Sequence, residues 1–142
     1  VKVPEISKGK FTEDFGEGFY CTKLKRQARR WAIRKDTPTI NTYEYTPDKT
    51  LSVLDFKDMT DEWLDFIANC RKGIPHHYDI VIGAMANDQT YNYIEDFIAG
   101  VITREQFWVL AKFKYPTHQI CFSTEASLRC LSFVESEIVS KK

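Results

Sequence analysis

The chain has no apolar run near the roughly 20 residues that a membrane-spanning helix needs, and no leader pattern of basic, apolar and small residues. It also lacks an excess of either charge. Twenty Lys and Arg are offset by twenty Asp and Glu, so no net field draws the protein to nucleic acid or to a membrane surface. The four cysteines, Cys21, Cys70, Cys121 and Cys130, form no C-x-x-C pair and sit within apolar patterns. That usage points to reduced, buried thiols of a cytoplasmic protein and away from a disulfide framework, and no two of them lie at zinc-ligand spacing. The chain contains no P-loop, no G-x-S-x-G nucleophile elbow and no complete G-x-G-x-x-G. "GEGFY" lacks the third glycine and leads into a strand, so a Rossmann reading fails. Nor do repeats, low-complexity tracts or a Pro/Gly/Ser linker divide residues 1–142, which read as a single domain.

Hydrophobic and aromatic residues are plentiful, at 43% and 14%, which is enough for a core without staples. The opening "VKVPEISKGKFTE", with Pro4 and Gly9, reads as an irregular lead-in. Phe19 to Thr22 reads as a short strand. From Leu24 the period becomes helical, with Leu24, Ala28 and Trp31 on one face. "TINTYEY" and "LSVLDFK", separated by a turn at Pro47 and Asp48, suggest a β-hairpin. Thr60 caps a helix whose buried stripe is Trp63, Leu64, Ile67 and Cys70 and whose stop is Gly73. "YDIVIGAMA" reads as a strand covered on both faces. Tyr91, Ile94, Phe97 and Ile98 mark a helix ended by Gly100, and "TREQ" from Thr103 is a capping box that opens another. Pro116 bars continuation, "QICFS" and "CLSFVESEIV" read as strands, and "TEASL" between them as a turn or short helix. Six strands and four helices in mixed order make an α+β protein.

Three features could carry function. Lys23, Lys25, Arg26, Arg29, Arg30, Arg34 and Lys35 crowd one helix and its ends. A solvated helix face explains them, and a phosphate contact to a dinucleotide or to RNA is the alternative. The histidines, His76, His77 and His118, have no metal-ligand spacing, so no metal site is expected. In "GEGFYCT" the glycines at 16 and 18 permit a tight turn and a close backbone approach. The Phe-Tyr pair in a strand sends one ring to each face. A packed strand entry and a ligand site both satisfy that pattern.

The residues then meet a known pattern. "GFYCT", followed by a helix with an aromatic eleven positions after the tyrosine, resembles the ADP-ribosyltransferase superfamily in its diphtheria-toxin-like and poly(ADP-ribose) polymerase-like branch. More of the chain is similar to an uncharacterised bacterial family assigned to that superfamily. The shared features are "DFG-x-GFY-x-T" from Asp14 to Thr22, "Q-A-x-x-W-A" at Gln27, Ala28, Trp31 and Ala32, the Trp63-Leu64 pair, "YDIVIG" from Tyr78 to Gly83, and "QICFST" from Gln119 to Thr124.

This resemblance implies a split β-sheet core with flanking helices and NAD as co-substrate. Tyr20 and Trp31 would sandwich the nicotinamide ring, Gly16, Gly18 and Thr22 would border it, and Gln119, at the place of the superfamily's catalytic glutamate, would hold the ribose as the catalytic group beside Tyr20. Glutamine keeps a hydrogen bond but loses the charge that stabilises an oxocarbenium-like transition state, roughly a few kcal/mol of preorganised electrostatics. Glu125 is the nearby acid that could supply charge if its turn folds back. The superfamily's histidine-bearing first strand has no counterpart here, so the resemblance implies that it is missing upstream of Val1. The implied function is an NAD-dependent mono-ADP-ribosyltransferase, toxin-like or regulatory, acting on an unknown macromolecular acceptor. Its alternative is a weak or inactive module that binds a nucleotide or a protein.

Overall fold

In the computed structural model, residues 4, 6, 14–34, 36–86, 88–111 and 117–140 are described. Most of the lead-in, Lys35 and Pro116 lie outside these residues. Eleven elements follow in order: β1 (Phe19–Cys21), α1 (Lys25–Ala32), β2 (Thr39–Tyr45), β3 (Val53–Asp55), α2 (Asp61–Arg71), β4 (Ile80–Gly83), α3 (Asp88–Ile98), α4 (Arg104–Leu110), β5 (Gln119–Phe122), α5 (Glu125–Leu128) and β6 (Leu131–Ile138). The protein is thus mixed α+β, with five helices rather than four, the fifth being the single turn at "EASL".

The strands form two sheets among the described residues, one of four strands in the order β1-β5-β4-β3 and one made of β2 and β6. The hairpin expected from "TINTYEY" and "LSVLDFK" does not form. A turn is present, since Asp48 Oδ1 accepts from the Thr50 amide at 2.9 Å, but its two arms separate. β2 pairs antiparallel with β6 along its whole length, whereas β3 pairs parallel with β4. Each arm finds a longer or more buried partner elsewhere, and this outweighs the local turn preference.

The helix termini follow their side-chain chemistry. The Thr60 hydroxyl accepts from the Trp63 amide, with Asp61 and Glu62 in the first turn of α2. Thr103 and Gln106 form the reciprocal capping box of α4. Gly73 and Gly100 follow α2 and α3 at positive φ, 85° and 77°, which favours glycine over any residue with a Cβ. One core cluster lies on the helix side of the four-stranded sheet, around Trp63, Leu64, Ile67, Ile94, Phe107 and Phe15. A second, around Ile80, Phe122 and Leu128, lies on the other side, where Tyr45 and Leu131 from the two-stranded sheet pack against it.

Candidate functional site: the cleft between the sheets

Strand alternation decides what each residue can meet. The register aligns Tyr20, Cys121, Val81 and Leu54 across the four-stranded sheet, and sets Gln119 opposite Gly83. These residues share the face packed on α2, α3 and α4. Phe19, Phe122, Ile80 and Val53 form a neighbouring row, as do Cys21, Ile120, Ile82 and Asp55, and both rows belong to the opposite face.

The helix face is closed by a polar hub. Asp14 is 8% exposed, and its carboxylate accepts from Arg71 Nη2 at 2.5 Å, the Ala86 amide at 2.8 Å and Gln119 Nε2 at 3.0 Å. One side chain therefore joins the lead of β1, the end of α2, the exit of β4 and the start of β5. Arg71 is 2% exposed at its side chain and also lies over the Tyr91 ring at 4.0 Å. Tyr20 completes the hub by donating its hydroxyl to the Gly16 carbonyl at 2.6 Å and accepting from the Phe15 amide at 3.0 Å. His76 Nε2 meets the Phe15 carbonyl at 3.1 Å, and burial lowers its pKa, which holds the ring neutral at pH 7.

The glycines here answer to the protein's own packing. Gly16 has φ 82°, and a Cβ on Gly18 would stand 2.4 Å from Cys121 Sγ and 2.9 Å from the Phe122 carbonyl oxygen. The close approach that glycine permits at position 18 is thus to β5.

The other face opens on a cavity of about 1090 Å³ between the two sheets and α1. Its floor includes Phe19, Cys21, Ile120 and Phe122 from the sheet, and Tyr43 and Tyr45 from β2. Edge-on ring contacts of Phe19 with Tyr43 and of Tyr45 with Phe122, both at 5.7 Å, tie the sheets together beneath it. From α1 come Ala28, Trp31 and Ala32. The helix buries Gln27 and Ala32 most deeply, leaving Trp31 only half-buried in the wall. Gln27 anchors α1 by donating to the His118 carbonyl and accepting from the His118 amide at 3.0 Å.

Around the rim stand Lys23, Lys25, Lys57, Asp55, Asp58 and Glu135. Lys57 pairs with Asp55 at 2.7 Å and Lys25 with Glu137 at 2.9 Å. The Cys21 thiol is pushed up to about 12, by burial first and then by Cys121, which keeps it protonated at pH 7.

The residues expected from the sequence thus divide. Thr22 and Trp31 border the cleft. Tyr20 borders it as part of β1, but its phenol is engaged at Gly16 on the far face. Gln119 is 5% exposed, is absent from the cavity wall and gives its amide to Asp14. The sheet separates the Tyr20 hydroxyl and Gln119 from Trp31, so the three do not meet around one ligand. Glu125 opens α5 and does not border the cavity. The residue sequence reasoning passed over is His118, which does line the cleft. Alternation was the available signal, since His118 must face opposite to Gln119.

Among the described residues no group of three His, Cys, Asp or Glu side chains could hold a metal ion, and no helix is long and apolar enough to cross a membrane. The free cysteines are Cys21, Cys70, Cys121 and Cys130. No curated protein and no solved structure matches the chain significantly. A family model does match, over residues 1–133, and its description is "Protein of unknown function (DUF3990)"; the chain belongs to that family.

Proposed function

We propose that this chain is an ADP-ribosyltransferase-like protein whose inter-sheet cleft binds NAD. The observation that carries the reading is that Trp31 and Thr22, two residues the resemblance assigns to NAD, border one large cavity between two small sheets. Its volume of about 1090 Å³ lies just above the roughly 300–1,000 Å³ usual for ligand pockets. The floor is apolar and aromatic, as a nicotinamide or adenine ring requires. Trp31 offers a stacking surface worth about 1–3 kcal/mol for a base. Lys23 brings positive charge to the rim, where a pyrophosphate would gain from it, and Lys25 and Lys57 stand there paired with Glu137 and Asp55.

Transfer of ADP-ribose would break the bond between nicotinamide nitrogen and ribose C1′ and join C1′ to an acceptor nucleophile. That chemistry needs negative charge beside the ribose. Asp55, Asp58 and Glu135 border the cleft and could supply it, whereas Gln119 points away. Mono-ADP-ribosylation of a macromolecular acceptor by a toxin-like or regulatory protein of bacteria is the first form of this reading. Binding without turnover is the second, favoured by the engagement of Gln119 with Asp14.

Titration calorimetry with NAD and with ADP-ribose, run beside an assay of nicotinamide release, tests both forms. Heat of binding that Trp31→Ala weakens about tenfold or more, the cost of one lost stacking partner, supports the cleft. Release of nicotinamide selects the transferase, and binding without release selects the module. No heat with either compound removes the proposal.

A further inference from the structure

We infer that His118 is a ligand-contacting residue of the cleft, its Nε2–H donating to a phosphate oxygen of a nucleotide bound there. The inference rests on reading the cleft as a nucleotide site and adds a residue and a contact to it.

Three observations carry it. First, His118 stands just before β5 on the face of Ile120 and Phe122, and lines the same cavity as Trp31. Second, its main chain is fixed from several directions. Gln27 bonds both its amide and its carbonyl, the Thr117 hydroxyl both accepts from and donates to the Met85 main chain at 3.2 Å, and the Gln119 side chain is tied to Asp14 at 3.0 Å. A ring on so constrained a backbone loses little freedom when a ligand arrives.

Third, the two ring nitrogens are unequal. Nδ1 accepts from the Lys23 amide at 3.4 Å, a long contact that favours the tautomer with its proton on Nε2. Nε2 has no partner among the described residues, and it belongs to a side chain in the cavity wall. Burial is the main cause of a lowered pKa, with Lys23 acting in the same direction and Asp55 against it, so the ring is neutral at pH 7. The neutral ring is a donor at Nε2. Lys23 is the cation that acts on the ring, Lys25 on the same rim being paired with Glu137, and its charge suits this corner to an anionic oxygen.

The test uses ADP-ribose, NAD and adenosine as probes. Binding is followed by calorimetry and by the ring ¹⁵N resonances of His118 in the wild-type chain. His118→Ala should weaken ADP-ribose and NAD about tenfold, the worth of one hydrogen bond to a charged group. His118→Gln keeps an N–H near the place of Nε2 and should recover most of that loss. Adenosine, which has no phosphate, should bind both variants as it binds the wild type. In the free protein the ring should show the Nε2–H tautomer, and ADP-ribose should shift that nitrogen. If ADP-ribose binds and perturbs Trp31, yet His118→Ala binds it equally well and the ring signal stays in place, the inference is wrong and the cleft reading survives. If no probe perturbs either Trp31 or His118, both fall together.

Discussion

The two faces of the four-stranded sheet draw on alternate residues of the same strands, yet they differ in how their polar groups are used. On the helix face, Asp14, Tyr20 and Gln119 spend their hydrogen bonds on one another or on nearby main chain. Arg71 gives both Nη groups to Asp14 and the Tyr91 carbonyl, leaving only its buried Nε without a partner among the described residues. On the cleft face, His118 and Trp31 stand half-buried in the wall of an open cavity, and the Nε2 of His118 has no partner among the described residues. A side chain with its hydrogen bonds already satisfied in the folded state is a structural part. One held in position with bonding capacity left over is suited to a ligand. The comparison therefore assigns stability to one face and recognition to the other, and each assignment can be broken separately.

The strongest break is Arg71→Ala. It strips the partner from a buried carboxylate, and such losses cost about 3–5 kcal/mol, a large part of a small domain's stability. Urea denaturation should register it, and the variant's folded fraction should still bind NAD. Gln119→Glu comes next. It replaces the amide that donates to Asp14 with a second carboxylate, forfeiting a charge-assisted bond of about 1.5–3 kcal/mol. It should raise no nicotinamide release, because the new carboxylate faces the helices. A gain in release would overturn the division between the faces.

Gly18→Ala should cost about 1–3 kcal/mol through overpacking against β5, and Cys121→Ala in the same chain should relieve part of it. The relief is partial because the Phe122 carbonyl stands 2.9 Å from the added Cβ in either background. The smallest effect is a pH slope. The pKa of His76 is lowered by burial from its ordinary 6.5, so the folded state keeps it neutral while the unfolded chain takes up a proton. Its contribution is present above about pH 6.5 and is lost as the pH falls toward the folded value. Denaturation midpoints at pH 7.5 and 5.5 should differ in that direction, and His76→Gln should reduce the difference, the half-buried His118 supplying a slope of the same sign.

Periodicity and capping made most elements legible: the helices at Thr60 and Thr103 and the glycine stops form where the residues imply, and the strands form as "IVIG" within "YDIVIGAMA" and "QICF" within "QICFS". Pairing was the part that could not be read locally. β2 and β3 flank a sound turn, but their partners are remote in sequence, so the apparent hairpin is divided between two sheets. The same difficulty explains the site. Alternation shows that Phe19 and Tyr20 face opposite ways, and Gln119 and His118 likewise, but only the packed helices show which way is the core. The motif residues therefore lay close to the cleft, one position away from those whose side chains face it. Leu24, Ala28 and Trp31 are half-buried on one face of α1, as their spacing implies, but its deepest positions were not legible, for a related reason. Gln27 and Ala32 are buried most deeply because the Gln27 amide is satisfied by the His118 main chain, which an apolar pattern does not reveal.

The central claim, that ligand meets the cleft face and leaves the helix face untouched, is most directly tested by ¹⁹F NMR with 5-fluorotryptophan. The chain has three tryptophans, Trp31, Trp63 and Trp108, of which only Trp31 borders the cleft and Trp63 is fully buried on the helix face. Addition of NAD or ADP-ribose should shift or broaden the Trp31 resonance, assigned by its loss in Trp31→Phe, with Trp63 and Trp108 unchanged. A spectrum in which Trp63 moves and Trp31 stays still would place the ligand on the wrong face and contradict the account.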